Sequence, residues 1–179
     1  MGVEVGIPEI LGDRINVVNC LRCRVVDREE LIRKYAGGEK DFTGRSFRNA
    51  DWVDKIVRGG IYREADFSNA YFLRSGFDQA DLSFAKFVGA RMYESGFGST
   101  CCLEGTDFTY AVFSQCNFSE VDLRGAIFRN ATLSEVNFRN ANLSYADLRG
   151  ARKFSSSFCK ETIFYETIMP DGSIFTDSI

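Results

Sequence analysis

The residues of this chain best equipped for chemistry are its thiols and carboxylates. Cys20 and Cys23 form a Cys-x-x-Cys pair, the spacing of half a zinc site or of a redox couple. A structural zinc needs two further ligands, and Cys101, Cys102, Cys116 and Cys159 lie far along the chain. The role of the pair is therefore left open. The sequence contains no histidine, which excludes Ser-His-Asp and Cys-His nucleophiles and every imidazole metal ligand. "GFGSTC", beginning at Gly96, resembles the start of a dinucleotide-binding fingerprint. However, Cys101 stands where the third glycine belongs and no helical pattern follows. The aspartates recur where a repeat demands a polar residue, so they are not read as a general acid and base. The expectation is a protein that is not an enzyme, with no catalytic residue, no cofactor and no metal.

Composition sets the outer limits. The chain has 179 residues, 45% of them hydrophobic and 26% charged, with a formal net charge of −3, enough apolar mass for one ordinary domain. No apolar run approaches the roughly eighteen residues of a membrane span. Met1 to Pro8 lacks the basic and apolar regions of a signal peptide. The expected compartment is the cytoplasm, and the six cysteines are read as reduced thiols rather than a disulfide framework. The Asn-x-Ser/Thr matches at Asn117, Asn130 and Asn142 are by-products of repeated polar positions.

Those polar positions belong to a period of five. One register runs through Phe42, Phe47, Trp52, Val57, Tyr62, Phe67, Phe72, Phe77, Leu82, Phe87, Met92 and Phe97. A second, displaced by one, runs through Leu103, Phe108, Phe113, Phe118, Leu123, Phe128, Leu133, Phe138, Leu143 and Leu148. Two residues before each centre the chain favours a small group, as at Ala65, Ala70, Ala85, Ala126 and Ala141. One residue before, Asp or Asn recurs, as at Asp66, Asp81, Asp107, Asn137 and Asp147. A period of five fits neither the 3.6 of a helix nor the 2 of a strand. A chain that turns a corner every five residues accounts for it. Four short sides close a square coil, the large centre and the small residue point inward, and coils stack at strand spacing of about 4.8 Å.

Segments such as "ADFSNA", "ADLSFAKF", "CNFSEVDLRGAIF" and "ANLSYADLRGA" resemble the pentapeptide repeat proteins, whose pattern is A(D/N)LXX. The resemblance covers roughly Asp41 to Met169 and implies an all-β fold, a right-handed quadrilateral parallel β-helix. About six coils would make a rod about 30 Å long. The phenylalanine-rich centres depart from a leucine ladder and imply a fuller core.

From Phe97 to Leu103 the spacing is six, so one residue is inserted near Gly98, Ser99 and Thr100. Either the bulge marks a partner site or it is a neutral insertion in a tolerant solenoid. Exposed coil ends need caps. Residues 1–39 are expected to supply one, with a strand-like "INVVNCLRCRVV" and a short capping α-helix. "DREE", Asp27 to Glu30, reads as its capping box, and Gly37 and Gly38 stop it, so that Leu31, Ile32 and Tyr35 lie over the first coil. Residues 40–169 form the repeat β-helix, whose register loosens near Lys153, Phe154 and Phe158. In the tail, 170–179, "PDG" makes a turn, after which Ile174 and Phe175 either cover the last coil or join a second subunit as a homodimer.

Charge is banded along the chain. Glu94 to Asp122 holds five acids and no base, whereas Arg124 to Lys160 holds Arg124, Arg129, Arg139, Arg149, Arg152, Lys153 and Lys160 against Glu135 and Asp147. Quinolone-resistance members of the family resemble duplex DNA and bind DNA gyrase as dimers. Such mimicry needs a continuous negative surface, which the basic band interrupts. The favoured reading is a non-enzymatic protein-interaction scaffold or regulator that binds neither nucleic acid nor membrane directly. The stretch "EELIRKYAGGEKDFTGRSF" also resembles cyanobacterial members of this kind. An outward column of Phe84, Gly105, Gly125 and Tyr145, flanked by Arg129 and Arg149, is the expected dock for an acidic protein partner. Gyrase inhibition or protection by DNA mimicry is the alternative.

Overall fold

A computed structural model describes residues 33–155 and 158–176. Its basic unit is the corner. From Gly44 to Gly150 the second residue after each centre except Phe97 has positive φ, as at Asn49 (57°), Glu64 (56°), Arg74 (46°) and Phe84 (59°). This backbone reverses the strand direction toward the next side. At two of the four corners in each coil the amide three residues after the centre bonds back to the centre's carbonyl, as in Ala70 to Phe67 (3.0 Å) and Ala111 to Phe108 (3.0 Å). That is a type II turn with its left-handed third residue. The aspartate before the centre braces the same turn. Its Oδ1 accepts the amide two residues on, from Ser68 to Asp66 (2.9 Å), Thr109 to Asp107 (2.9 Å) and Arg149 to Asp147 (3.1 Å).

Four corners make a coil of twenty residues. Asp41, Ile61, Asp81, Cys102, Asp122, Asn142 and Ile163 pair in parallel up one column, so the solenoid has seven levels there and six turns. Each centre's amide donates to the residue one level up, as from Tyr62 to Asp81 O (2.6 Å) and from Leu143 to Ile163 O (2.9 Å). The first side is built on Phe42, Tyr62, Leu82, Leu103, Leu123, Leu143 and Phe164. The second is built on Phe47, Phe67, Phe87, Phe108, Phe128, Leu148 and Met169. Both are held by isolated bridges. The third side is a continuous parallel sheet of β1 (Asp51–Val53), β3 (Tyr71–Leu73), β5 (Arg91–Tyr93), β7 (Val112–Ser114) and β8 (Thr132–Ser134). The fourth carries β2 (Ile56–Arg58), β4 (Gly76–Asp78) and β6 (Gly96–Phe97).

The interior is aromatic. Along the axis, rings stack face to face, with centroids 4.8 Å apart for Phe47–Phe67, Phe67–Phe87 and Phe108–Phe128. Across the coil they meet edge to face, as in Phe77–Phe87 (86°) and Phe128–Phe138 (89°). Both arrangements suit the ring quadrupole, and each buried phenylalanine contributes about 1.5–3 kcal/mol. Alanines fill the space between the rings. Where a polar group takes an alanine's place, it donates to the carbonyl of the coil below: Thr106 to Leu82 O (3.0 Å), Thr162 to Phe138 O (2.6 Å), Cys116 Sγ to Met92 O (3.2 Å).

The insertion at 98–100 is absorbed within one corner. Gly98 stays in the ladder, donating to Phe77 O (2.8 Å), and the turn closes one residue late through Cys101 to Gly98 O (2.9 Å). None of Gly98, Ser99 and Thr100 has positive φ, and Cys102 resumes the column above Asp81. The expected loosening near residue 153 needs correction. Arg152 pairs with Thr132 in register, and Lys153 then takes φ 58°. Phe154 turns in against Phe138 and Phe164. Cys159 and Phe164 are fully buried while Phe158 is exposed. This is a second one-residue insertion, after which Phe154, Cys159, Phe164 and Met169 again keep a period of five.

At the first coil, residues 33–36 are helical and Gly38 has φ 89°. The Tyr35 hydroxyl donates to Arg58 O, and Lys40 Nζ sits 3.3 Å over the Tyr35 ring. The expected strand-like segment, the capping box, Leu31 and Ile32 lie outside the described residues. At the other end, β9 (Thr167–Ile168) and β10 (Ile174–Phe175) form an antiparallel hairpin around Gly172. Phe175 packs edge-on against Phe164 (5.9 Å), the covering role among the two open to it.

Two glycines on the fourth side have no room for a methyl group. A Cβ on Gly76 would lie 2.0 Å from Gly96 O, and one on Gly96 would lie 2.4 Å from Asn117 O. Gly76→Ala, whose Cβ would meet backbone, is expected to destabilise the protein by about 3 kcal/mol or more, measured by chemical denaturation. Gly125→Ala, which meets no atom within 4 Å, costs only its left-handed strain, about 1–2 kcal/mol. Equal losses at the two sites would refute this packing of the fourth side.

Candidate interaction surface

Outward-facing positions are dictated by the coil. On each side the residues flanking a centre point to solvent, and the left-handed corner residue projects beyond them. The corner between the first and second sides carries Phe84, Gly105, Gly125 and Tyr145, with the amides of Phe84, Gly105, Gly125 and Tyr145 each bonded to the coil above. The Phe84 ring lies over Gly105, where a Cβ would come within 2.5 Å of it. Gly125 is open, and Tyr145 meets Tyr165 edge to face at 5.5 Å. The gap between the two aromatics is thus centred on Gly125.

Arg129 and Arg149 stand on the second side, each just before the corner it shares with the third. Both pair with the buried Asp147: Arg129 through Nε (2.6 Å), Arg149 through Nε and Nη2 (2.7 Å for the latter). Hydrogen bonds from the two guanidiniums, Arg149's being the stronger, hold the Asp147 carboxyl down at about 2. Both arginine side chains remain 49% exposed. Gly98, Ser99 and Thr100 lie at the corner between the fourth and first sides, across the width of the first side from Phe84.

The basic band does not form one patch, because residues near in sequence are dealt out over four sides. Arg124 is on the first side and pairs with Asp122 (2.7 Å) and Glu104 (3.6 Å). Arg139 and Lys160 flank fourth-side centres, Lys160 beside Glu161 at 3.7 Å, and Arg152 belongs to the third side. What groups charge here is a sequence separation near twenty. Arg48–Asp66 (2.9 Å) and Arg63–Asp81 (2.6 Å) repeat the separation of Arg129–Asp147.

Two exposed aromatics, Tyr110 and Tyr165, escaped the sequence reading. Tyr110 occupies the corner between the second and third sides with φ 60° and is 62% exposed. Its amide donates to Arg129 O (2.9 Å), so it stands one level below that arginine on the same edge. Counting two residues on from Phe108 would have found it.

The described thiols occupy structural positions. Cys101, Cys116 and Cys159 are buried, and burial pushes Cys116 and Cys159 up to about 11. Cys102 faces outward with its sulfur 3.1 Å from Ser83 Oγ. Cys20 and Cys23 lie outside the described residues. Among the described residues no group of three His, Cys, Asp or Glu side chains is arranged to hold a metal ion, and no helix is long and apolar enough to cross a membrane.

Residues 63–95, 101–140 and 116–152 match the family model for pentapeptide repeats, in eight copies. Several solved structures are similar. A pentapeptide repeat protein from Nostoc PCC 7120, alr5209, is 21% identical over 74% of this chain and 92% of its own, with a TM-score of 0.43. HetL from Nostoc sp. strain PCC 7120, involved in heterocyst differentiation regulation, is 21% identical over 82% of this chain and 98% of its own (TM-score 0.29). AT2G44920, from the thylakoid lumen of Arabidopsis thaliana, is 27% identical over 69% of this chain and 71% of its own (TM-score 0.33). No curated protein matches the chain significantly.

The shared carboxylate sets a pH dependence. Asp147 is lowered in the folded state, so its contribution is fully present above the ordinary aspartate value near 3.8 and is lost as pH falls through about 2. At neutral pH Asp147→Asn is expected to cost about 2 kcal/mol. Between pH 4 and pH 2 the gap between wild type and variant should close in urea melts. A gap that stays constant would mean Asp147 is not the counter-ion of both arginines.

Proposed function

The repeat ladder of this chain belongs to the pentapeptide repeat family, and we propose that it serves as a non-enzymatic scaffold or regulator that docks an acidic protein partner. The observation that carries this reading is the outer surface beside the second side. Phe84 and Tyr145 are 55% and 56% exposed while held at φ 59° and 62°. A bulky residue in the left-handed region is strained, and an exposed aromatic ring adds nothing to the core. At two neighbouring levels of the same column the chain uses Gly105 and Gly125, which meet the corner's need without strain. Rings kept at such positions are explained by contact with another molecule. The arginine pair on the adjoining side supplies the charge for an acidic one.

In this proposal the inserted residues Gly98, Ser99 and Thr100 form a separate feature at another corner, and Ile174 at the C-terminal hairpin is where a second subunit would meet the protein if it dimerises. The expected compartment is the cytoplasm.

Charge reversal tests the surface. Arg129→Glu with Arg149→Glu should remove specific proteins from those captured on the immobilised wild type, by quantitative mass spectrometry, while Arg139→Glu leaves the set unchanged. An identical set from all three would sink this surface. DNA mimicry is tested apart. On the first side Asp41, Asp81 and Asp122 recur every second level, about 10 Å apart, far sparser than the one charge per about 1.7 Å of a duplex. Purified protein is therefore expected to leave gyrase supercoiling unchanged across a concentration series. Inhibition at micromolar concentration would replace the scaffold reading with the gyrase one.

A further inference from the structure

The second side carries strained aromatics at both of its edges together with an excess of positive charge that the first side lacks. From the level of Phe87 to that of Leu148 its outward residues include Lys86, Arg129 and Arg149 against Asp107 and Asp147, on a chain whose net charge is −3. The first side over the same levels holds Asp81, Glu104 and Asp122 against Arg124. The second side is also bounded by aromatics on both edges, Phe84 and Tyr145 at one corner and Tyr110 at the other, with the half-buried Ile127 between them.

The two arginines are prearranged. Asp147 fixes their Nε atoms and Nη2 of Arg149. This leaves both Nη groups of Arg129 and Nη1 of Arg149 with no bond among the described residues. Asn130 is the corner residue beside Arg129, one level above Tyr110, its amide bonded to Arg149 O (2.9 Å) as Tyr110's is to Arg129 O. Arg129 and Arg149 are thus successive rungs of the second side, about 4.8 Å apart, and Tyr110 stands at the adjoining corner one level below Arg129. One buried carboxylate holds two guanidiniums side by side with donors to spare, so the entropy cost of ordering them for an incoming anion is largely met in advance.

We propose, resting on the scaffold reading above, that the second side is the docking face. Its occupant is an extended acidic segment of a protein partner, one of whose carboxylates seats on the Arg129–Arg149 pair while a neighbouring aromatic side chain packs against Tyr110. The face from Phe84 to Tyr145 spans three level spacings, about 14 Å, which matches four to five residues of extended chain. The charge excess selects an acidic segment over a basic one, and the aromatics beside it select one with apolar side chains over a bare polyanion.

The probe is a fluorescent random glutamate–tyrosine copolymer, titrated with the full chain at low and physiological salt, with polyglutamate and polylysine alongside. Saturable binding of the copolymer, tighter than polyglutamate and absent for polylysine, is expected. Arg129→Gln with Arg149→Gln should weaken it by about tenfold or more. Tyr110→Asn should weaken it several-fold while holding or raising the melting temperature, since asparagine suits a left-handed corner. This second variant guards against loss of binding through misfolding, because the arginine variant leaves Asp147 unpaired. Arg139→Gln, on the fourth side, should bind as wild type. No saturable binding, or equal weakening by Arg139→Gln, would overturn the proposal. If that happens while the charge-reversal variant still loses captured proteins, the surface survives and only the acidic, aromatic-bearing occupant is wrong. Copolymer binding that persists undiminished in both the arginine and tyrosine variants would overturn the face itself.

Discussion

A backbone that makes a right-angled corner every five residues does so here by placing one residue of the corner in the left-handed region, the six-residue corner at 98–100 excepted, and the rest of this protein is arranged around that requirement. Among the described residues, eighteen other than glycine adopt positive φ, a conformation that L-residues ordinarily avoid at a cost of about 1–2 kcal/mol each. The strain is offset locally and globally. Locally, at corners of the first and second sides, an aspartate or asparagine before the centre accepts an amide from the turn, and the type II hydrogen bond closes it. Globally, each corner swings one large apolar side chain onto a column of like side chains, where stacked and edge-on phenylalanine rings bury their full surface. The corner thus explains why the repeat is five long, why its small position is small and why its polar position is Asp or Asn.

Much of this was legible in the sequence because the corner repeats. The period, the inward centres and the slip between Phe97 and Leu103 can all be read from residue types, since phenylalanine and leucine mark the core unmistakably. The second slip was not legible. Its inward residue, Cys159, is neither large nor aromatic, and the conspicuous Phe158 beside it faces out. The identity of the corner residues was equally silent. Phe84, Tyr110 and Tyr145 occupy a conformation usually given to glycine or asparagine, so residue type alone does not reveal them. Position relative to the nearest centre does.

Electrostatics was the most misleading aspect of the linear reading. Along the sequence, charge runs in bands. Around the solenoid, a band of basic residues is distributed over all four sides, and its pairings join residues either two apart, as in Arg149–Asp147, or about eighteen to twenty apart, as in Arg129–Asp147. Arg129, Arg149 and Asp147 form a unit only because one turn of the coil separates the two arginines. The pH behaviour of this unit follows from the hydrogen bonds that Arg149 and Arg129 donate to its single carboxylate, which outweigh the opposing effect of burial.

The hairpin of Thr167–Ile168 with Ile174–Phe175 has a consequence for growth along the rod. Every other contact between levels is parallel, so a bare last coil would present a template on which another coil, from any chain, could be laid down with the correct polarity. By folding back, β10 covers one side of that template with a strand running the opposite way. A further coil arriving there would meet reversed donors and acceptors. On that side, a strand running the opposite way ends the parallel order from which a filament would be made.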